Sequence, residues 1–95
     1  MTVEELQIEL KALISNLTAS GFKNVEPEVE DKINELITTA GELRMNEGKR
    51  LVENLLNVIK AIREGKSQAE SGYIRLTALD FYVKNLSDSD AIEDI

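Results

Sequence analysis

The chain of 95 residues contains no cysteine, no histidine and no tryptophan, and its single proline is Pro27. Without cysteine there is neither a disulfide framework nor a thiolate metal site. Without histidine the commonest general base, the commonest metal ligand and the usual pH switch are gone. Aromatics make up only 4% of the residues, so the core has to be aliphatic, which suits packed helices. Positive charge is also scarce: 11 Lys and Arg stand against 18 Asp and Glu, a formal net charge of −7. Nucleic acids and anionic membrane surfaces both demand a basic footprint, so both are disfavoured as partners. No stretch approaches the ~18 consecutive apolar residues of a membrane span. The N-terminal MTVEELQIEL is acidic where a signal peptide is basic. The expected location is therefore cytoplasmic, with which the lack of cysteine agrees.

Hydrophobic residues at 42% and charged residues at 31% fit a globular rather than a disordered chain. The length gives one domain, able to bury roughly 65% of its unfolded surface. The organising stretch is Leu51–Ile62, LVENLLNVIKAI. At 100° per residue, Leu51, Val52, Leu55, Leu56, Val58, Ile59 and Ile62 fill an arc of roughly 160°, wider than the ~100° stripe of a surface helix. Such a helix can touch two or three neighbours, and Leu55 and Ile59 are expected at the centre of the core.

Three further helices follow from periodicity and punctuation. Thr2 with Glu5 three residues on has the capping-box pattern, and Val3, Leu6, Leu10, Leu13 and Leu17 repeat in steps of three and four with Ile14 beside them. Ile8 lies off this stripe. Gly21 marks the stop, with Phe22 folding back beyond it. Residues 22–26 form a linker. Pro27 suits the first position of a second helix with stripe Val29, Ile33, Leu36, Ile37, Ala40 and Leu43, and Glu28, Glu30 and Asp31 favour its positive end. Gly41 reads as a cap or a point of close approach. The apolar phase breaks across RMNEGKR, placing a turn near Asn46–Gly48, where Gly48 could take positive φ. Lys60, Arg63 and Gly65 close the central helix. Ser67 and Glu70 open the fourth in a second capping-box pattern, Gly72 weakens its first turn, and Leu76, Leu79, Val83 and Leu86 form its stripe beside Tyr82.

The expected architecture is an all-α, antiparallel up-down four-helix bundle over residues 1–87, with an acidic flexible tail at 88–95. The alternative is a three-helix bundle in which the second and third segments join as one long kinked helix. Asp88, Asp90 and Glu93 partly match a calcium loop but lack its glycine and its terminal bidentate glutamate. The group Arg44, Lys49, Arg50, Lys60, Arg63 and Lys66 reads as helix-end charge or as a docking patch for an acidic partner. Asn16–Thr18 and Asn85–Ser87 match glycosylation triplets only by accident of composition.

No catalytic, cofactor, metal or small-molecule site is expected, and no Glu-x-x-His pair exists to build a di-metal bundle centre. The candidate functional surface is the second side of the last helix. Ile74 and Phe81 fall together roughly 140–180° from the middle of its stripe, with Tyr73 at their edge. An apolar patch there is a contact for a partner helix or for a second copy of the chain. The expected function is that of a small interaction or regulatory bundle, acting through helix faces and forming a homodimer. The competing class is a structural or assembly subunit of a phage or mobile element.

The run Ala40-Gly41-Glu42-Leu43, then Gly48, then a Leu-rich helix closing on Arg63-Glu64-Gly65 resembles the histidine-containing phosphotransfer domains over about a quarter of the chain. The resemblance implies an acidic four-helix bundle that docks response-regulator domains. The family's phosphorylated histidine and nearby lysine have no counterpart at Thr38–Leu43. What it implies here is thus an inactive docking module.

Overall fold

The computed structural model describes residues 1–93, and the side chains up to residue 86. It is an all-helical bundle of α1 (Val3–Ser20), α2 (Pro27–Glu42), α3 (Asn46–Arg63) and α4 (Ala69–Glu93), with no strand among the described residues. The four-helix reading holds over the three-helix one. Each helix packs against its neighbours in chain order and α4 closes back on α1, while among the described residues the diagonal pairs do not approach. Short connections of a few residues enforce the up-down order.

The core is aliphatic. Leu6, Leu10, Leu13 and Leu17 come from α1, Ile33, Leu36 and Ala40 from α2, Val52, Leu55, Leu56 and Ile59 from α3, and Leu76, Leu79 and Val83 from α4, with Phe22 from the first linker. Among the described residues no polar or charged side chain is buried. The broad arc of α3 serves two neighbours, α2 and α4, and Leu55 at its centre is fully buried.

Local chemistry sets the helix ends. The Thr2 hydroxyl accepts the Glu5 N–H, and the Thr2 N–H donates to Glu5 Oε1, both at 3.1 Å, completing the capping box. That pairing holds the Glu5 carboxyl below the usual carboxylate range, the backbone hydrogen bond from Thr2 acting most strongly. Gly21 ends α1 at φ 78°, and Pro27 starts α2.

The second turn differs from expectation. It lies at Leu43–Met45, just upstream of Asn46–Gly48, and Gly48 is helical and buried within α3. The left-handed residue is Arg44, at φ 60°. Its N–H donates to the Gly41 carbonyl at 3.1 Å and the Met45 N–H to the Ala40 carbonyl at 2.9 Å. This is a Schellman motif with arginine where glycine is usual. The same motif ends α3, with Gly65 at φ 76° donating to Ile62 at 3.1 Å and Lys66 to Ala61 at 2.8 Å.

Helix α4 begins at Ala69, two residues past Ser67, and its backbone runs on to Glu93, past the expected stop at Leu86. The side chains of the acidic tail, with the partial calcium-loop match at Asp88, Asp90 and Glu93, lie outside the described residues. No described helix is long and apolar enough to cross a membrane.

Candidate functional site

Helix α4 meets α3 on one flank and α1 on the other. Its buried stripe, Leu76, Leu79 and Val83, fixes the rotation of the helix, and this decides where every other residue points. The Tyr82 ring lies toward α3, against Gly48. A Cβ built on Gly48 would stand 2.9 Å from the Tyr82 hydroxyl oxygen. Burial pushes the Tyr82 phenol up from its ordinary value, against the opposing effect of a hydrogen bond from the Gly48 backbone. On the α1 flank the Gln7 amide donates to the Val83 carbonyl at 3.3 Å.

The remaining face points away from the bundle. Ile74 and Phe81 are 67% and 68% exposed, among the least covered large apolar side chains of the chain. They lie seven residues apart on one line of the helix, about 10 Å at a rise of 1.5 Å per residue. Thr77 and Ala78, both exposed, fill the span between them. The Thr77 hydroxyl donates to the Tyr73 carbonyl at 2.8 Å, which turns its polar group back onto its own helix.

Tyr73 is a different kind of neighbour. It is 42% exposed, and its ring stands edge-on to buried Phe22, at 5.0 Å between centroids and 89° between planes. It lines the α1–α4 groove with Ile14, Thr18, Thr77 and Asp80. The apolar pair Ile74 and Phe81 is thus flanked on one side by an anchored aromatic, and Tyr73 contributes its outer edge. The periodicity of the sequence isolates Ile74 and Phe81; it passes over Thr77 and Ala78, whose small size leaves the line between them accessible.

Other surfaces are ionic. Arg63 pairs with Glu30 across the bundle, Arg50 with Glu47 within α3, and Lys66 with Glu64 at 3.1 Å. These pairings tie half of the basic group to acids of the same chain. A groove of about 240 Å³ between α1 and α2 is lined by Glu9, Ala12, Leu13, Asn16, Glu28, Val29 and Lys32 and is crossed by the Lys32–Glu9 pair at 3.1 Å. Among the described residues no group of three acids gathers to hold a metal ion. Comparison with protein-family models, with curated proteins and with solved structures finds no match.

Proposed function

We propose that this chain is a small cytoplasmic interaction or regulatory module that acts by helix-face contact, without catalysis, and that the outer face of α4 is its docking surface. The observation that carries the reading is the exposure of Ile74 and Phe81 on one line of a helix whose opposite face is fully packed. Leaving two large apolar side chains in water gives up roughly 1.5–3 kcal/mol for each. Single exposed apolar residues, such as Ile8 on α1, are ordinary; two in line make a patch. A contact with another helix covers such a line well, and the first partner is a second copy of the chain.

Sedimentation velocity from micromolar to millimolar concentration tests this. The wild type should shift from monomer to dimer, and Phe81→Glu should stay monomeric with an unchanged helical circular dichroism spectrum. A wild type that is monomeric throughout refutes self-association. A Phe81→Glu chain that unfolds refutes the assignment of Phe81 to the surface.

A further inference from the structure

The outer face of α4 reads the same from both ends. From its centre between Thr77 and Ala78 outward, each direction meets first a small residue, then a large apolar one (Ile74 or Phe81), then a charged one (Glu70 or Lys84). The charges have opposite sign at the two ends. Resting on the reading of this face as a docking surface, we infer that its occupant is a second α4 running antiparallel about a two-fold axis through the Thr77–Ala78 centre, with Glu70 of each copy against the partner's Lys84.

Symmetry and register carry the inference. Two antiparallel helices related by a two-fold axis place like flanks against each other. Ile74 of one copy then covers the partner's Phe81. On the helical wheel Glu70, Thr77 and Lys84 share one flank of the apolar line, while Ser71, Ala78 and Asn85 share the other. Glu70 therefore meets the partner's Lys84 on the first flank, and Ser71 meets the partner's Asn85 on the second. The small pair at the axis permits the close approach, about 8 Å between axes, at the tight end of helix packing. A parallel pairing instead brings unlike flanks together: Phe81 lies on the partner's Phe81, Glu70 beside its Ser71 and Lys84 beside its Asn85, so that no opposite charges meet. Only the antiparallel pairing sets opposite charges against each other at both ends of the patch.

Lys84 is available for the cross-pair. It meets Asp80 of its own helix at 3.0 Å, its side chain is 71% exposed, and an ammonium carries three donors. Two large side chains and the small residues between them offer roughly a few hundred Å² a side, below the roughly 800 Å² per partner of a standard stable interface. The dimer is accordingly reversible and concentration-dependent.

The absence of native cysteine makes single-cysteine crosslinking clean. At the axis, Ala78→Cys places two thiols within disulfide reach and should give a covalent dimer under mild oxidation. The two copies of residue 70 lie roughly 22 Å apart, so Glu70→Cys should not crosslink. Each charge reversal, Glu70→Lys or Lys84→Glu, should raise the dimer Kd by roughly five- to tenfold, since two symmetric pairs change from attraction to repulsion, and the double reversal should return it to within about twofold of wild type. Equal crosslinking at both positions establishes a parallel pair and overturns the inference. So does a double reversal no better than either single one. If the wild type dimerises, Phe81→Glu abolishes the dimer and neither cysteine crosslinks, the docking surface stands and the antiparallel register falls. A wild type that never dimerises removes both.

Discussion

Gly72 lies in the first turns of α4, where periodicity alone treats it as a weak point that alanine would strengthen by about 1 kcal/mol. In three dimensions the change meets Phe22. A Cβ at Gly72 would stand 2.8 Å from three ring atoms, Cγ, Cδ1 and Cδ2. Ordinary carbon contacts need about 3.5–4.0 Å, and the ring is only 2% exposed, with Tyr73 at its edge. Forcing it aside within the core costs about 1–3 kcal/mol. Expelling it instead forfeits roughly 1.5–3 kcal/mol of burial and about 0.5–1.5 kcal/mol of aromatic pairing. Set against the helical gain of about 1 kcal/mol, the cheaper of the two routes leaves Gly72→Ala destabilising by up to about 2 kcal/mol, which at about 4–8 °C per kcal/mol in a domain this small lowers Tm. Thermal and urea unfolding followed by circular dichroism measure it. The same substitution in a Phe22→Ala background should stabilise by about 1 kcal/mol, because the ring is gone and only helix propensity remains. A Gly72→Ala chain that melts higher than wild type refutes the reasoning.

Three further outcomes follow from the helix ends and the core. Leu55, fully buried in α3, should cost about 2–5 kcal/mol on Leu55→Ala, read from the urea midpoint. Arg44 and Gly65 occupy equivalent positions in the two Schellman motifs. Arg44→Gly should therefore raise Tm, and Gly65→Ala should lower it, each through roughly 1 kcal/mol of left-handed backbone strain. The Glu5 carboxyl is lowered below its unfolded value of about 4.3. Its stabilisation is therefore present above that pH and lost as pH falls through the folded pKa, so the Tm difference between wild type and Glu5→Ala should shrink between about pH 7 and about pH 3.

The features legible in the sequence are those set within a turn or two of helix. The capping box at Thr2 and Glu5, Pro27 at the start of α2, and Gly21 and Gly65 as stops all depend on neighbours a few residues away. The leucine stripes exposed the core, and Ile74 and Phe81 stood out because a wheel angle alone separates them from it. The second turn was misplaced because its left-handed residue is an arginine, while the nearest glycines serve other ends. Gly41 is helical and lies beside the Lys49 side chain, where a Cβ would make ordinary contact at 3.6 Å, and Gly48 makes room for the ring of Tyr82. Gly72 was misjudged for the same reason: whether glycine weakens a helix or admits a neighbour depends on a side chain some fifty positions away, Phe22. The sequence sets Tyr73 at the edge of the patch, and only the fold brings Phe22 to its ring.

The two glycine notches have a bearing on which bundle forms at all. Aliphatic stripes on four helices are nearly interchangeable: a helix can slide by a turn, or the ring of helices can wind in the opposite sense, and leucine still faces leucine. Among the described residues the interior has no buried polar pair to penalise such alternatives. Phe22 lies over Gly72, where a Cβ would stand 2.8 Å from the ring, and Tyr82 over Gly48, where a Cβ would stand 2.9 Å from the hydroxyl oxygen. One contact fixes α4 along its length against the α1–α2 connection and the other fixes it against α3, so that a slipped or mirror-wound arrangement drives a ring into a Cβ or leaves it stranded in water. Replacing both rings with leucine would then leave a helical, compact chain whose amide resonances crowd together, an ensemble of near-equal packings in place of one.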